Sequence, residues 1–174
     1  MTDEHDPDPD LRDWLRAREL PTSEVPIPVN PVAYAVAERE ADRATHALRV
    51  AETAGVDLAP YRERVAAAQA ALAGQPVRVL ALRCLPVTEW EALVDAHPPT
   101  DEQRTLGWQW DVAGFRPALL AATVIVPDGT RGLTEVDWRQ VADEGQLAVG
   151  ELGMLFAAAI DLNSRAPSAS VGKG

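Results

Sequence analysis

Residues 32–55 read VAYAVAEREADRATHALRVAETAG, and almost every feature of that stretch is helical. It is rich in Ala, Glu and Arg, which lose little on entering a helix, and it holds no Pro or Gly before its last position. Val36, Glu40, Arg43 and Ala47 recur at helical spacing, as do Ala44, Leu48 and Ala51. Asn30 and Pro31 supply a start signal and Gly55 a stop. A second run follows at once, with Asp57 as cap, Pro60 in the first turn, a face of Leu58, Tyr61, Val65, Ala68 and Leu72, and Gly74 at the end. Two helices joined by so short a turn make an antiparallel hairpin, and alanine-rich faces let the axes approach closely.

The segments on either side of this hairpin alternate with a period of two. Downstream, Val77, Val79, Ala81 and Leu85 share one face of a predicted strand, and Leu80 and Leu82 share the other with Arg78 and Cys84. A lone strand leaves its backbone groups unpaired. The partner at hand is Val25 to Val29, returned alongside by the hairpin. Pro26 and Pro28 confine it to an edge. The result is a strand, hairpin, strand unit over 25–85.

The remainder is predominantly helical. Leu11, Trp14, Leu15 and Leu20 fit a short amphipathic helix stopped by Pro21. Thr88 is the expected cap of a helix to about Ala96, with Trp90, Leu93 and Val94 inward, broken by His97 to Thr100. Asp101 to Trp110 is ambiguous; if extended, it carries Trp108 and Trp110 on one side. Phe115 to Val126 reads as a buried helix with Pro117 in its first turn, while Thr123 to Val126 keeps a strand open. Pro127, Asp128 and Gly129 signal a turn. Thr134 caps a helix with Trp138 and Val141 inward, ended by Gly145. Gln146 to Asn163 forms the last helix, with Leu152, Phe156, Ala159 and Ile160 on one face beside Leu155 and Leu162. The expected fold class is therefore mainly α: a helical hairpin flanked by a short two-stranded β element, followed by a small α-helical bundle. One domain is expected over 25–163, after an acidic, partly disordered segment (1–24) and before a flexible tail (164–174).

Composition narrows function by exclusion. The 174 residues carry a net charge of -11, which argues against nucleic acid as the ligand, since phosphate contacts need clustered Lys and Arg. All but one of the 16 basic residues are Arg, Lys173 being the exception. That bias and the abundance of Ala fit a GC-rich genome. A single Cys rules out an internal disulfide framework or a Cys-rich zinc site. The start carries Asp3, Glu4, Asp6, Asp8 and Asp10, the opposite of a signal peptide. The longest apolar run, Ala118 to Val126, is far short of the roughly 20 residues that span a bilayer. A soluble, cytoplasmic protein without membrane contact is expected.

Motifs of catalysis are missing. His5, His46 and His97 share no metal-ligand spacing. Cys84 sits on a strand, where a free Cys is a small core hydrophobe. Ser23, Ser164, Ser168 and Ser170 lie near tails or loops and offer no nucleophile elbow. The glycines form no phosphate loop. Glu89 and Glu91 are not helical neighbours, and Asp143 and Glu144 decorate a helix end. No enzyme, cofactor or metal is expected. Five Trp stand against two Phe and two Tyr. Trp90 and Trp138 fit core faces. Trp108 and Trp110, with Phe115, are the candidate partner-binding residues, because Trp buries a large area at low entropic cost.

From Val77 onward the order of features resembles a known family. The strand RVLALRCL is followed by TEWEALVDAHPPT, by the aromatic stretch GWQWDVAGFRPALLAATVIVP, by LTEVDWRQVADEG and by QLAVGELGMLFAAAIDLN. With the upstream hairpin, this is similar to the tail assembly chaperones of long-tailed bacteriophages and prophages of GC-rich hosts, over about Val25 to Asn163. His97-Pro98, Phe115 to Pro127, Trp138, and Leu155 to Asn163 carry the likeness. The resemblance implies a non-enzymatic protein of the host cytoplasm that binds the tape measure protein or another tail protein, with self-association as a further expectation. It also implies a longer frameshifted product, with the codons of Gly172, Lys173 and Gly174 as the slip site. The alternative from the same source is a minor tail or head-tail connector protein.

Overall fold

The structure, a computed structural model, describes residues 10–126 and 130–164. The acidic start over 1–9 with His5, the Pro127-Asp128-Gly129 turn, and residues 165–174 with the expected slip site lie outside them. Among the described residues the chain is mainly helical, with eight helices and a two-stranded antiparallel sheet. It groups into two compact units. One is Val25–Leu80; the other holds the described residues 10–24, 81–126 and 130–164.

The ribbon of β1 (Thr22–Pro28) and β2 (Val77–Arg83) crosses that division. Its register is set by the Cys84 N–H donating to the Pro21 carbonyl and the Val29 N–H donating to the Pro76 carbonyl, each at 3.0 Å. Successive residues of an antiparallel strand turn their N–H groups to opposite edges. Val29 points to β2, so Pro26 and Pro28 fall on the outer edge, where a missing N–H breaks no ladder bond. Val25 and Ile27 are buried. On β2 the β-branched face, Val77 and Val79, is exposed, and Leu82 of the opposite face is fully buried.

Within Val25–Leu80 the hairpin forms as its sequence requires. Helix α2 (Pro31–Ala54) is capped by Asn30, whose side chain accepts from the Ala33 N–H at 3.0 Å. It stops at Gly55, which takes a left-handed φ of 66° that an L side chain would strain. Helix α3 (Ala59–Ala73) is capped one residue early, by Asp57 accepting from the Ala59 N–H at 3.0 Å. Ala41, Ala44 and Ala68 form the seam, with Val65 and Leu72 packed against it. The buried face of α2 is therefore Ala41, Ala44 and Ala51, while Val36 is exposed. Glu40 accepts from Arg64 across the hairpin at 2.6 Å.

In the other unit, α1 (Leu11–Ala17) ends before Pro21, with Arg18 already extended. Helix α4 (Val87–Ala96) starts at Pro86, so Thr88 lies inside it rather than capping it. The ambiguous stretch contains a short helix, α5 (Asp101–Thr105), closed by a reciprocal Thr100–Gln103 capping box. Helix α6 (Val112–Thr123) begins earlier than predicted, at the Asp111 cap, which moves Pro117 from the first turn into the interior. There Pro117 removes one backbone bond but is itself buried. The helix ends at Thr123, short of the predicted Val126, and among the described residues no strand follows it; Val124 forms a single antiparallel bridge with Leu82. Helix α7 (Glu135–Asp143) carries a Thr134–Asp137 capping box. Helix α8 (Val149–Ser164) starts later than Gln146, where the Glu151 side chain accepts from the Ala148 N–H at 2.7 Å. Asn163 closes the unit, accepting from the Leu85 N–H at 2.7 Å.

Candidate functional site

Asp111 organises the centre of the α4–α8 unit. One carboxylate oxygen accepts from Gln103 Nε2 at 2.9 Å and the other from the Gly114 N–H at 3.1 Å. Its own N–H donates to the His97 carbonyl at 2.9 Å. The Gln103 amide first, and then the Gly114 N–H, hold the Asp111 carboxyl below the usual range. A Cβ at Gly114 would lie 3.0 Å from His97 Nδ1 and 3.1 Å from Asp111 Oδ2, so a larger residue requires both side chains to shift by a few tenths of an ångström. Neither Asp111 nor Gln103 is among the site residues expected from the sequence. Their signals are local, an acidic residue just before an apolar helix and a Thr-x-x-Gln box.

One turn further along α6, Phe115 is the hub of an aromatic cluster. Trp110 stacks on it at 4.6 Å and 21°, and Trp90 meets it edge-on at 5.7 Å. Phe156 and His97 approach edge-on at 6.3 and 6.1 Å. The expected partner-binding trio is thus divided. Phe115 is 0% exposed and Trp110 is half-buried against it, whereas Trp108 is 49% exposed and forms no ring pair among the described residues. Phe115 therefore has no surface to offer a partner, whereas Trp110 is partly and Trp108 largely accessible.

A cleft of about 740 Å³ lies between α6, α7 and α8. Its apolar wall includes Val112, Pro117, Leu120, Trp138, Ala142 and Leu152. Its polar members are Gln103, Asp111, Arg116, Arg139 and Asp143. Arg139 is paired with Glu135, and Asp143 is exposed. Arg116 lies over the Phe156 ring, 5.2 Å from its centroid, and has no ion pair among the described residues. Trp138 is only 4% exposed, and among the described residues its indole N–H has no acceptor, nor do the buried Nε of Arg116 and the indole N–H of Trp110. Two of these donors belong to residues that line the cleft, and the third, Trp110, belongs to the aromatic cluster.

Chemically the cleft offers mainly apolar surface, with the exposed Asp143 carboxylate among its polar groups. Among the described residues no group of three or more His, Cys, Asp and Glu could hold a metal ion. His46 is exposed, and Cys84 Sγ donates to the Leu85 carbonyl at 3.5 Å. No helix among the described residues is long and apolar enough to cross a membrane.

Compared with family models, curated proteins and solved structures, the chain matches none of them.

Proposed function

We propose that this protein works by covering apolar surface on another polypeptide, as a phage tail assembly chaperone that holds the tape measure protein soluble in the host cytoplasm until the tail tube assembles. The observation that carries the reading is the apolar-walled cleft between α6, α7 and α8 in a chain of net charge -11. A long helical chain with apolar stripes self-associates unless those stripes are covered, and a helix laid in an apolar groove covers them. Like charge on the covered complexes then keeps them apart. Exposed apolar side chains in the same unit, Leu106, Trp108, Val136 and Val149, add modest contacts that release readily. Many weak contacts suit a partner that must later be surrendered. The role needs no bond-making residue.

Co-expression with the tape measure protein tests the proposal. The expected result is a soluble tape measure with the protein present and an aggregated one without it; equal solubility in both ends the reading. Recovery of the protein in purified virions favours a minor tail or connector protein instead.

A further inference from the structure

We propose, independently of the covering role above, that the outer edge of β2 over Val77–Leu80 takes an extended segment of a partner polypeptide as a third strand, with an acidic residue opposite Arg78 and β-branched residues on either side of it. The two terminal bonds of the ribbon set Pro28 opposite Val77 and Pro26 opposite Val79, and they turn the N–H and C=O groups of Arg78 and Leu80 toward β1. Those of Val77 and Val79 therefore face away from it. The Ala81 carbonyl follows the same alternation, accepting from the Ile125 N–H at 2.8 Å on that outer side. Among the described residues no backbone bond reaches the outward groups of Val77 and Val79. The two edges of the ribbon differ in sequence. Prolines hold the outward positions of β1, which denies that edge to other chains. The outward positions of β2 are valines, 43% and 50% exposed. Four unpaired groups at strand spacing match another backbone, and strand addition is the recurring way in which such an edge binds.

The side chains select the occupant. The chain does not continue the ladder itself: two residues beyond Ile125 stands Pro127, which has no N–H for the Val79 carbonyl. A second copy is disfavoured by charge. The antiparallel register that uses all four groups sets Val77 against Val79 of the copy and Arg78 against its counterpart, and like charges directly opposite destabilise a pair of strands. Arg78 is exposed and has no ion pair among the described residues, so a carboxylate opposite it supplies the missing partner. Val77 and Val79 share the other face with Pro26 and Pro28. There Val77 and Pro26 also border a groove of about 360 Å³ with Tyr34 and Leu72, which favours apolar side chains at the flanking positions.

The test adds a soluble eight-residue peptide with a Val-Glu-Val centre to the full chain, beside a Glu→Lys twin and a twin N-methylated at both valines. Hydrogen exchange read residue by residue is the first measurement. In the free protein the Val77 and Val79 amides are expected to exchange fast and those of Arg78 and Leu80 slowly; saturating peptide is expected to slow the first pair by about tenfold or more. The glutamate peptide is expected to bind about fivefold more tightly than the lysine twin, as exchanging a like-charge cross-strand pair for an ion pair gives, and R78E to reverse that order. The N-methylated twin is expected not to bind. Val79→Pro removes one outward N–H without touching the ladder to β1, and is expected to abolish binding while the helical circular dichroism is kept. Absence of peptide binding, glutamate and lysine twins of equal affinity, equal binding of the N-methylated twin, outer amides already slow in the free protein, or their protection by dimerisation overturns the assignment. The N-methyl comparison on the unaltered protein decides even if V79P does not fold.

Discussion

In the α2–α3 hairpin the packed side chains are Ala41, Ala44 and Ala68; in α4–α8 they are Phe115, Leu119, Leu120, Trp138 and Leu155. Alanine buries little area but lets two backbones meet along a continuous seam. Large side chains bury far more and interlock less evenly, and here they leave a cleft of about 740 Å³. A seam of small residues gives geometry, and a core of large ones gives both energy and a place to bind.

The heaviest blow to this contrast is Phe115→Ala. It removes the ring on which Trp110, Trp90 and Phe156 converge, and is expected to cost about 3–5 kcal/mol. Urea unfolding followed by Trp fluorescence measures it, and a loss under about 1 kcal/mol would show that the cluster is not the unit's core. In the hairpin the damaging change runs the other way. Ala44, 1% exposed, has little to lose, but Ala44→Leu must force the helices apart, at about 1–3 kcal/mol. Thermal loss of helical circular dichroism reads it, and an unchanged midpoint would mean that the seam is looser than drawn. Thr134→Ala comes next, at about 1 kcal/mol, because it removes the acceptor for the Asp137 N–H at the start of α7.

The smallest effect separates the units by pH and salt. The Arg64 hydrogen bond and charge hold the Glu40 carboxyl below its usual 4.5, and the Gln103 and Gly114 donors hold Asp111 below its usual 3.8. A depressed carboxyl adds stability that is complete above its unfolded value and is lost as pH falls through the folded one. Both contributions should therefore be flat near neutrality and fade in acid. Glu40 faces an exposed guanidinium and should weaken in high salt, whereas Asp111, held first by neutral donors, should not. Melting midpoints across pH at low and high salt check this; an equal salt response in E40Q and unaltered protein would remove the distinction.

Much of the hairpin is legible in the sequence because its signals are local. Asn30, Pro31, Gly55 and Pro60 act on their own backbone, and the period of Val65, Ala68 and Leu72 needs no partner to be seen. Trp108, Trp110 and Phe115 differ only in what surrounds them. Nothing in GWQWDVAGF tells which ring turns inward, because that depends on Trp90 and Phe156 arriving from α4 and α8. The start of α6 could be read, since Asp111 is a strong cap, but Pro117 drew the predicted boundary toward itself. A buried proline inside a helix is tolerated only where packing outweighs the lost bond.

The sequence by itself determined the helical class, the hairpin, its edge strand and the acidic charge, since these follow from backbone preferences and composition acting over a few residues. Tertiary structure alone decided which aromatic rings became core, where the chain divides into two units, and that Arg116 and Trp138 share one cleft wall. Those outcomes depend on side chains brought together from distant parts of the chain, and burial and hydrogen-bond pairing are properties of that meeting rather than of any residue in it.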